Sequence, residues 1–193
     1  MHSLPRGFKT GSKALLVAFR EGRFITASRV LNLGSGSCRD VFEALKKTGT
    51  FGKRVALHCV DLSQEAISFA QELVDDLDAV DFRWEVGNVL RFRPVSEYDL
   101  VWASGLFDYL NDRLAVALLK RIWSATRDGG TIVFGNIHPS NPTRLSMEWC
   151  GGWMLHHRTR DDLRLLCEMA GISRGSFSQE PEGVFHFCCV EKS

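Results

Sequence analysis

The chain alternates strand-like and helix-like segments until its end, where two strand-like segments follow one another with no helix between them. The apolar residues Leu15, Leu16, Ala18 and Phe19 predict a helix within residues 11–24. A short strand at 30–33 runs into a glycine turn, and a helix is expected over 40–47. Residues 55–60 form a second strand ending at Asp61. Ser63 can cap a helix carrying Ala66, Ile67, Ala70, Leu73 and Val74 at helical spacing. Strands follow at 80–86 and 98–103, then a helix starting at Asn111 or Asp112 and stopped by Asp128-Gly129-Gly130. A fifth strand is expected at 131–135, an irregular stretch at 136–157, and a helix capped by Thr159 and closed by Gly171. Residues 173–178 and 184–190 close the chain as strands. Alternating units imply a parallel sheet with helices on both faces. Two strands joined by a short turn must be antiparallel. The expected fold is therefore α/β, a seven-stranded mixed sheet of five parallel strands plus a C-terminal antiparallel hairpin.

A chain of 193 residues suits one domain with a sizeable core, and 45% hydrophobic with 24% charged residues is the balance of a globular protein. We expect a single domain over 1–193, with an N-terminal helical segment at 1–28 and an insertion at 136–158. The formal net charge is +1, with acids and bases interspersed. That argues against nucleic acid, which usually needs a basic face. No apolar run is long enough to span a bilayer, and residues 1–10 lack the apolar core of a signal peptide. A cytoplasmic location without stable membrane insertion is expected, and a homodimer is left open. The six cysteines Cys38, Cys59, Cys150, Cys167, Cys188 and Cys189 show no CxxC pair and no metal-ligand spacing. They read as small buried thiols, with Cys188 and Cys189 on opposite faces of a strand. No metal site is expected.

In open parallel sheets, ligands sit beyond the carboxyl ends of the strands. Four motifs fall there. Gly34-Ser35-Gly36 follows the first strand, and its glycines permit a tight turn and close approach to the backbone. A dinucleotide fingerprint would need glycine or alanine at position 39, where Arg39 stands, so a nicotinamide cofactor is disfavoured. Asp61-Leu62 ends the second strand, and a carboxylate there can accept from both ribose hydroxyls. Asn88-Val89 follows the third, where an amide offers a donor and an acceptor to an adenine edge; a turn asparagine is the alternative. Ser104-Gly105 follows the fourth, where a methionine portion would lie. In register, the four define a site of the S-adenosylmethionine type.

The stretches "VLNLGSGSCRD", "VDLS", "GNV", "YDLVWASGLFDYL" and "DGGTIVFGNI" resemble motifs of the class I S-adenosylmethionine-dependent methyltransferases over about residues 30–135. "SGLFDYLND", "GNIHPSNPTRLSMEW" and "HRTRDDL" resemble the bacterial subgroup of 3-hydroxypalmitic acid methyl ester synthases, which methylate the carboxylate of a hydroxy fatty acid. The resemblance implies a Rossmann-like sheet, S-adenosylmethionine as cofactor, S-adenosylhomocysteine as product and a small-molecule acceptor. Asn32 stands where such enzymes often carry an acid, and Cys38 where many carry a third glycine. The turn is therefore expected to avoid a left-handed conformation at Cys38.

A sulfonium methyl is already activated, and a carboxylate acceptor is ionised at pH 7, so no general base is needed. The segment after the fifth strand should form the acceptor wall. His138 is a candidate to orient a carboxylate or hydroxyl, or to act as a base; anchoring its own loop is the alternative. Arg158 is a candidate carboxylate partner, or it pairs with Asp161 or Asp162. Phe107, Tyr109, Trp149 and Trp153 are candidates to line an apolar pocket. Two other readings stay open: an O- or N-methyltransferase of another metabolite or natural product, and a non-catalytic relative that binds a cofactor or partner.

Overall fold

A computed structural model describes residues 27–48, 54–78, 80–94, 96–172, 175–180 and 183–193. Its elements run β1 (Arg29–Leu33), α1 (Arg39–Thr48), β2 (Val55–Asp61), α2 (Gln64–Val74), β3 (Val80–Val86) and β4 (Tyr98–Ala103). A 3-10 turn (Phe107–Tyr109), α3 (Asp112–Ala125), β5 (Thr126–Ile137) and a π-helical turn (Ser146–Cys150) follow, then α4 (Arg160–Met169), β6 (Ser176–Gln179) and β7 (Phe185–Glu191). The helix expected within 11–24 lies outside the described residues.

One seven-stranded sheet has the order β3-β2-β1-β4-β5-β7-β6. Strands β1 to β5 pair in parallel, and β7 pairs antiparallel to β5 and β6. The expected mixed sheet is therefore present. Central β1 is apolar on both faces, with Val30, Leu31 and Leu33 fully buried, while edge strand β3 alternates. One face packs Leu31, Val101, Phe134 and Cys188 against α3 and α4 through Leu118, Ile122, Leu163 and Leu166. The other packs Val30, Leu100, Trp102 and Val133 against Val41 and Ala44 of α1. Cys188 and the half-buried Cys189 belong to opposite faces, as the alternation requires.

Helix caps follow the sequence closely. Ser63 accepts from Ala66 N, Asn111 from Leu114 N, and Thr159 forms a capping box with Asp162. The end of α3 differs from expectation. The helix stops at Ala125 because the Thr126 hydroxyl bonds back to Ile122 O at 2.7 Å and Thr126 already pairs with Tyr98 in the sheet. The Asp128-Gly129-Gly130 stretch instead bulges within β5, between the Tyr98 and Leu100 pairings. Gly129 takes φ 74 there and donates to Lys192 O. An added Cβ at Gly130 would lie 2.7 Å from Thr126 and 2.8 Å from Arg127 O, so this bulge excludes a side chain.

Candidate active site

The strand order reverses between β1 and β4, and four parallel strands end along one edge there. The glycine turn leaves β1 with Gly34 N and Ser35 N both donating to Val60 O. Gly34 has φ 63, and an added Cβ would lie 3.2 Å from the Leu106 side chain. The turns after β1 and β4 thus meet at a position that disfavours a side chain. Gly36 has φ 50, and an added Cβ there would meet nothing within 4 Å. It borders open space at the sheet edge.

Asp61 bridges two of these turns. One carboxylate oxygen accepts from Gly36 N at 2.7 Å and the other from Ser63 N at 2.9 Å. Each oxygen keeps a further lone pair for a ligand hydroxyl. Leu62 beside it is 72% exposed. Gly87 N bonds to Asp61 O, which places Asn88-Val89 next to it. Asn88 is exposed, and its side-chain oxygen accepts from Leu90 N, so it holds its own turn while its amide N–H groups remain available. Val89 is buried in the core below. Ser104 and Gly105 (φ 75) follow β4.

The expectation at Cys38 is overturned. Cys38 sits in the left-handed region at φ 53 and is fully enclosed. Its thiol lies 3.6 Å from Cys59 Sγ and accepts from Asn32 Nδ2 at 3.5 Å. Burial of the thiol between β1 and β2 holds a conformation that glycine usually supplies. Asn32, which stands where the resembled enzymes often carry an acid, makes this contact with its side-chain amide. The contact with the Cys59 thiol, and then burial, push the Cys38 pKa up, so it is an inert packing group.

Do these residues fit S-adenosylmethionine? Ser35 Oγ is buried with no hydrogen-bond partner among the described residues, at the centre of the turn. Beside it lie the open space at Gly36 and the bridging carboxylate of Asp61. An orphaned hydroxyl, a cradle free of side chains and a carboxylate at a strand end suit the methionine portion and the ribose of that cofactor, and the exposed Leu62 suits a flat base. Among the described residues no group of three or more His, Cys, Asp or Glu side chains is arranged to hold a metal.

Across from this site, the segment after β5 is tied to the sheet by side chains. Arg158 is 3% exposed, and all five of its N–H donors are used. Nη1 donates to Phe107 O (2.8 Å) and Asn136 Oδ1 (2.7 Å), Nη2 to Leu110 O (2.5 Å) and Asp112 Oδ1 (2.8 Å), and Nε to Asp112 Oδ1 (3.1 Å). Arg158 therefore has no donor left for a substrate carboxylate, and its partner acid is Asp112 rather than Asp161 or Asp162. It is a clamp. Phe107 is fully buried, 4.6 Å from the Phe134 ring, so it belongs to the core rather than to a pocket wall.

Tyr109 and Trp153 do come together: Trp153 Nε1 donates to Tyr109 Oη at 3.1 Å. Trp149 is 84% exposed, and Leu145 and Met154 are exposed as well. His138 is half-buried at the end of β5. Its Nδ1 accepts from Ser140 N at 3.2 Å, and its ring lies 4.5 Å from that of His186. It anchors its loop and still presents its other ring nitrogen.

Asp108 was missed by the sequence reading. It is 5% exposed, accepts from Ile137 N at 2.7 Å through Oδ1, and its backbone carbonyl accepts from His156 N. An added Cβ at Gly105 would lie 3.9 Å from its Oδ2. Burial pushes its carboxyl up to about 7, against the Ile137 N–H and the Arg158 guanidinium, which lower it. The clue in the sequence was an acid inside the apolar run after a strand's carboxyl end, "GLFDYL".

A doubly wound sheet with an antiparallel C-terminal hairpin, a glycine turn after β1 and an acid ending β2 places the protein in the Rossmann-like class. A family described as methyltransferase domain matches residues 31–132, more than half of the chain, and the protein belongs to that family of enzymes. Solved structures share the fold. Human N-acetylserotonin methyltransferase in complex with S-adenosylmethionine superposes with TM-score 0.73 at 18% identity over 96% of this chain and 52% of that one. Magnesium protoporphyrin IX methyltransferase from Synechocystis PCC 6803 with bound S-adenosylhomocysteine gives TM-score 0.70 at 12% identity over 97% and 84%. The N-methyltransferase NodS from Bradyrhizobium japonicum WM9 gives 0.66 at 14% identity over 95% and 86%. This chain thus spans about half of the human enzyme and most of the two bacterial ones. A search of curated proteins returns no match. Among the described residues no helix is long and apolar enough to cross a membrane.

Proposed function

We propose that the protein transfers a methyl group from S-adenosylmethionine to the carboxylate of a hydroxy fatty acid or a similar acid, releasing S-adenosylhomocysteine and a methyl ester. The observation that carries the acceptor class is the set of large apolar side chains left in solvent on the segment after β5. Leu145, Trp149 and Met154 are each at least 70% exposed, and the Trp153–Tyr109 pair stands next to them in the chain and beside the turn after β4. Exposed apolar groups gathered on one short segment mark a surface that receives an apolar ligand. An alkyl chain suits it.

Bound S-adenosylmethionine supplies a methyl on a cationic sulfur, which an ionised carboxylate can accept without losing a proton. The chain's own work is then positioning. The glycine turn and Asp61 hold the cofactor, the Trp153–Tyr109 pair excludes water from the acceptor's chain, and His138 orients its polar end. Phe107 and Arg158 act from below, by fixing the 3-10 turn that carries Tyr109.

Asp108 favours a second reading. A buried carboxyl that titrates near neutrality beside Gly105 is suited to take a proton from a hydroxyl acceptor. One experiment separates the two. Labelled product from a panel of hydroxy acids is treated with mild base, and the rate is followed from pH 5.5 to about 9. A carboxylate acceptor gives a base-labile ester and a rate flat above the acceptor's own pKa. A base-stable ether, with a rising limb near the Asp108 pKa that Asp108→Asn abolishes, replaces the carboxylate reading with hydroxyl methylation.

A further inference from the structure

A cavity of about 600 Å³ opens between the connection from β3 to β4 and the C-terminal half of α3. Leu90, Arg91, Arg93, Pro94 and Arg121 line it, and none of them belongs to the glycine turn or to the segment after β5. The fold brings the three cations together. Phe92 is buried and packs edge-on against His58, with 5.3 Å between ring centres, while Arg91 and Arg93 on either side of it are exposed. Arg121 arrives from α3. Its Nη1 donates to Leu90 O at 2.5 Å and to Phe92 O at 3.3 Å, which fixes the connection against the helix. Arg121 Nε and Nη2 make no hydrogen bond among the described residues and are not enclosed. The side chains of Arg91 and Arg93 make neither a hydrogen bond nor an ion pair among the described residues.

Elsewhere the fold pairs its arginines: Arg54, Arg127, Arg144, Arg158 and Arg164 each meet a carboxylate. Here three guanidinium groups share one cavity with no acid against them, in a chain whose formal net charge is only +1. A cleft lined by one sign of charge focuses its field and gathers the opposite ion. The make-up of the cluster selects among anions. One guanidinium fork already matches both oxygens of a carboxylate, whereas the oxygens of a phosphoryl group point in different directions and take donors from several sides. Arg91 and Arg93 stand on the connection and Arg121 on the helix facing it. Leu90 and Pro94 add apolar wall, and the volume is that of a small-molecule site. We propose that this cavity binds a small phosphomonoester, with its phosphoryl group held by Arg91, Arg93 and Arg121 and its apolar part against Leu90 and Pro94. The site is separate from the methyl-transfer site and does not depend on which acceptor is methylated.

The test uses the full chain saturated with S-adenosylhomocysteine, so that the cofactor site is filled. Phenyl phosphate or phenylacetate is titrated in by calorimetry at about pH 7.5, where a phosphomonoester is mostly a dianion. We expect saturable binding of phenyl phosphate that weakens as salt is added, and binding of phenylacetate about tenfold weaker or less. The double variant Arg91→Gln with Arg93→Gln should lose about tenfold or more in phenyl phosphate affinity. Both side chains are exposed and unpaired, so that variant should keep its circular dichroism and its affinity for S-adenosylhomocysteine. Arg54→Gln, which removes an exposed arginine at the start of β2, should leave phenyl phosphate binding as it is. Three results overturn the proposal: phenyl phosphate binding no tighter than phenylacetate, affinity that survives in the double variant, or an equal loss in Arg54→Gln, which would mark a diffuse charge effect. No methyl group is transferred in this measurement, so failure of the acid-methylating reading shows separately, in the labelled products.

Discussion

Two carboxylates at strand ends behave in opposite ways because of what surrounds them. Asp61 receives two backbone N–H groups, from Gly36 and Ser63, and so joins the turn after β1 to the start of α2. Asp61→Ala should weaken cofactor affinity on the order of 1–3 kcal/mol, because ribose hydroxyls lose their acceptor. It should also lower the melting temperature of the ligand-free protein, since both N–H groups lose theirs. Calorimetry and thermal melts check the two effects, and unchanged affinity would remove Asp61 from the site. Asp108 is enclosed instead, and burial raises its carboxyl from 3.8 to about 7. The folded protein then holds a proton that the unfolded chain has released, so stability falls as pH rises from about 4 to 7. Asp108→Asn cannot titrate yet keeps an acceptor for Ile137 N–H. Urea melts should show a flatter pH profile over that window and a gain of up to about 4 kcal/mol above pH 7. An unaltered profile would mean that Asp108 ionises normally.

At the scale of elements, the site is an edge where turns meet. The two glycines of the β1 turn both take left-handed φ but differ in their surroundings. A Cβ added at Gly34 would crowd Leu106, whereas one added at Gly36 would meet open space. Gly34→Ala combines a disfavoured φ with a contact of 3.2 Å and should destabilise the protein by about 1–3 kcal/mol. Gly36→Val should instead leave circular dichroism native and abolish cofactor binding, because its side chain enters the space left for the ligand. Normal binding by a folded Gly36→Val would show that the ligand passes elsewhere. These turns were legible in the sequence, each being a short run of special residues directly after an apolar strand. The fit of Gly34 against Leu106 was not, because it depends on two turns about 70 residues apart meeting at the switch between β1 and β4.

Over the whole molecule, Arg158 connects more of the fold than any helix cap does. Its one guanidinium holds carbonyls of the turn after β4, Asn136 on β5 and Asp112 at the start of α3, and its own N–H bonds to Ile137 O. A fork with five fixed donors is required, and a lysine ammonium cannot reproduce it. Arg158→Lys should therefore lose about 3–5 kcal/mol of stability. Loss of activity in that variant should parallel loss of folded protein, with KM for the acceptor unchanged in what remains folded. A selective rise in KM at native stability would return Arg158 to substrate binding.

The sequence by itself determined the alternation of strands and helices, their parallel and antiparallel pairing, the caps at Ser63 and Thr159, and the runs of special residues that follow four of the strands. Hydrophobic period, capping chemistry and glycine placement are local properties, so they can be read one segment at a time. Tertiary structure decided the rest. Thr126 ended α3 because it already had a partner in β4, which no helix-stop pattern records. Cys38 took a left-handed conformation because Cys59 and Asn32 enclose it. Arg158 became a clamp and Asp108 an acid that titrates near neutrality, each through partners distant in sequence. Burial and hydrogen-bond partnership set the chemistry of a polar side chain, and both come into existence only when the chain has folded.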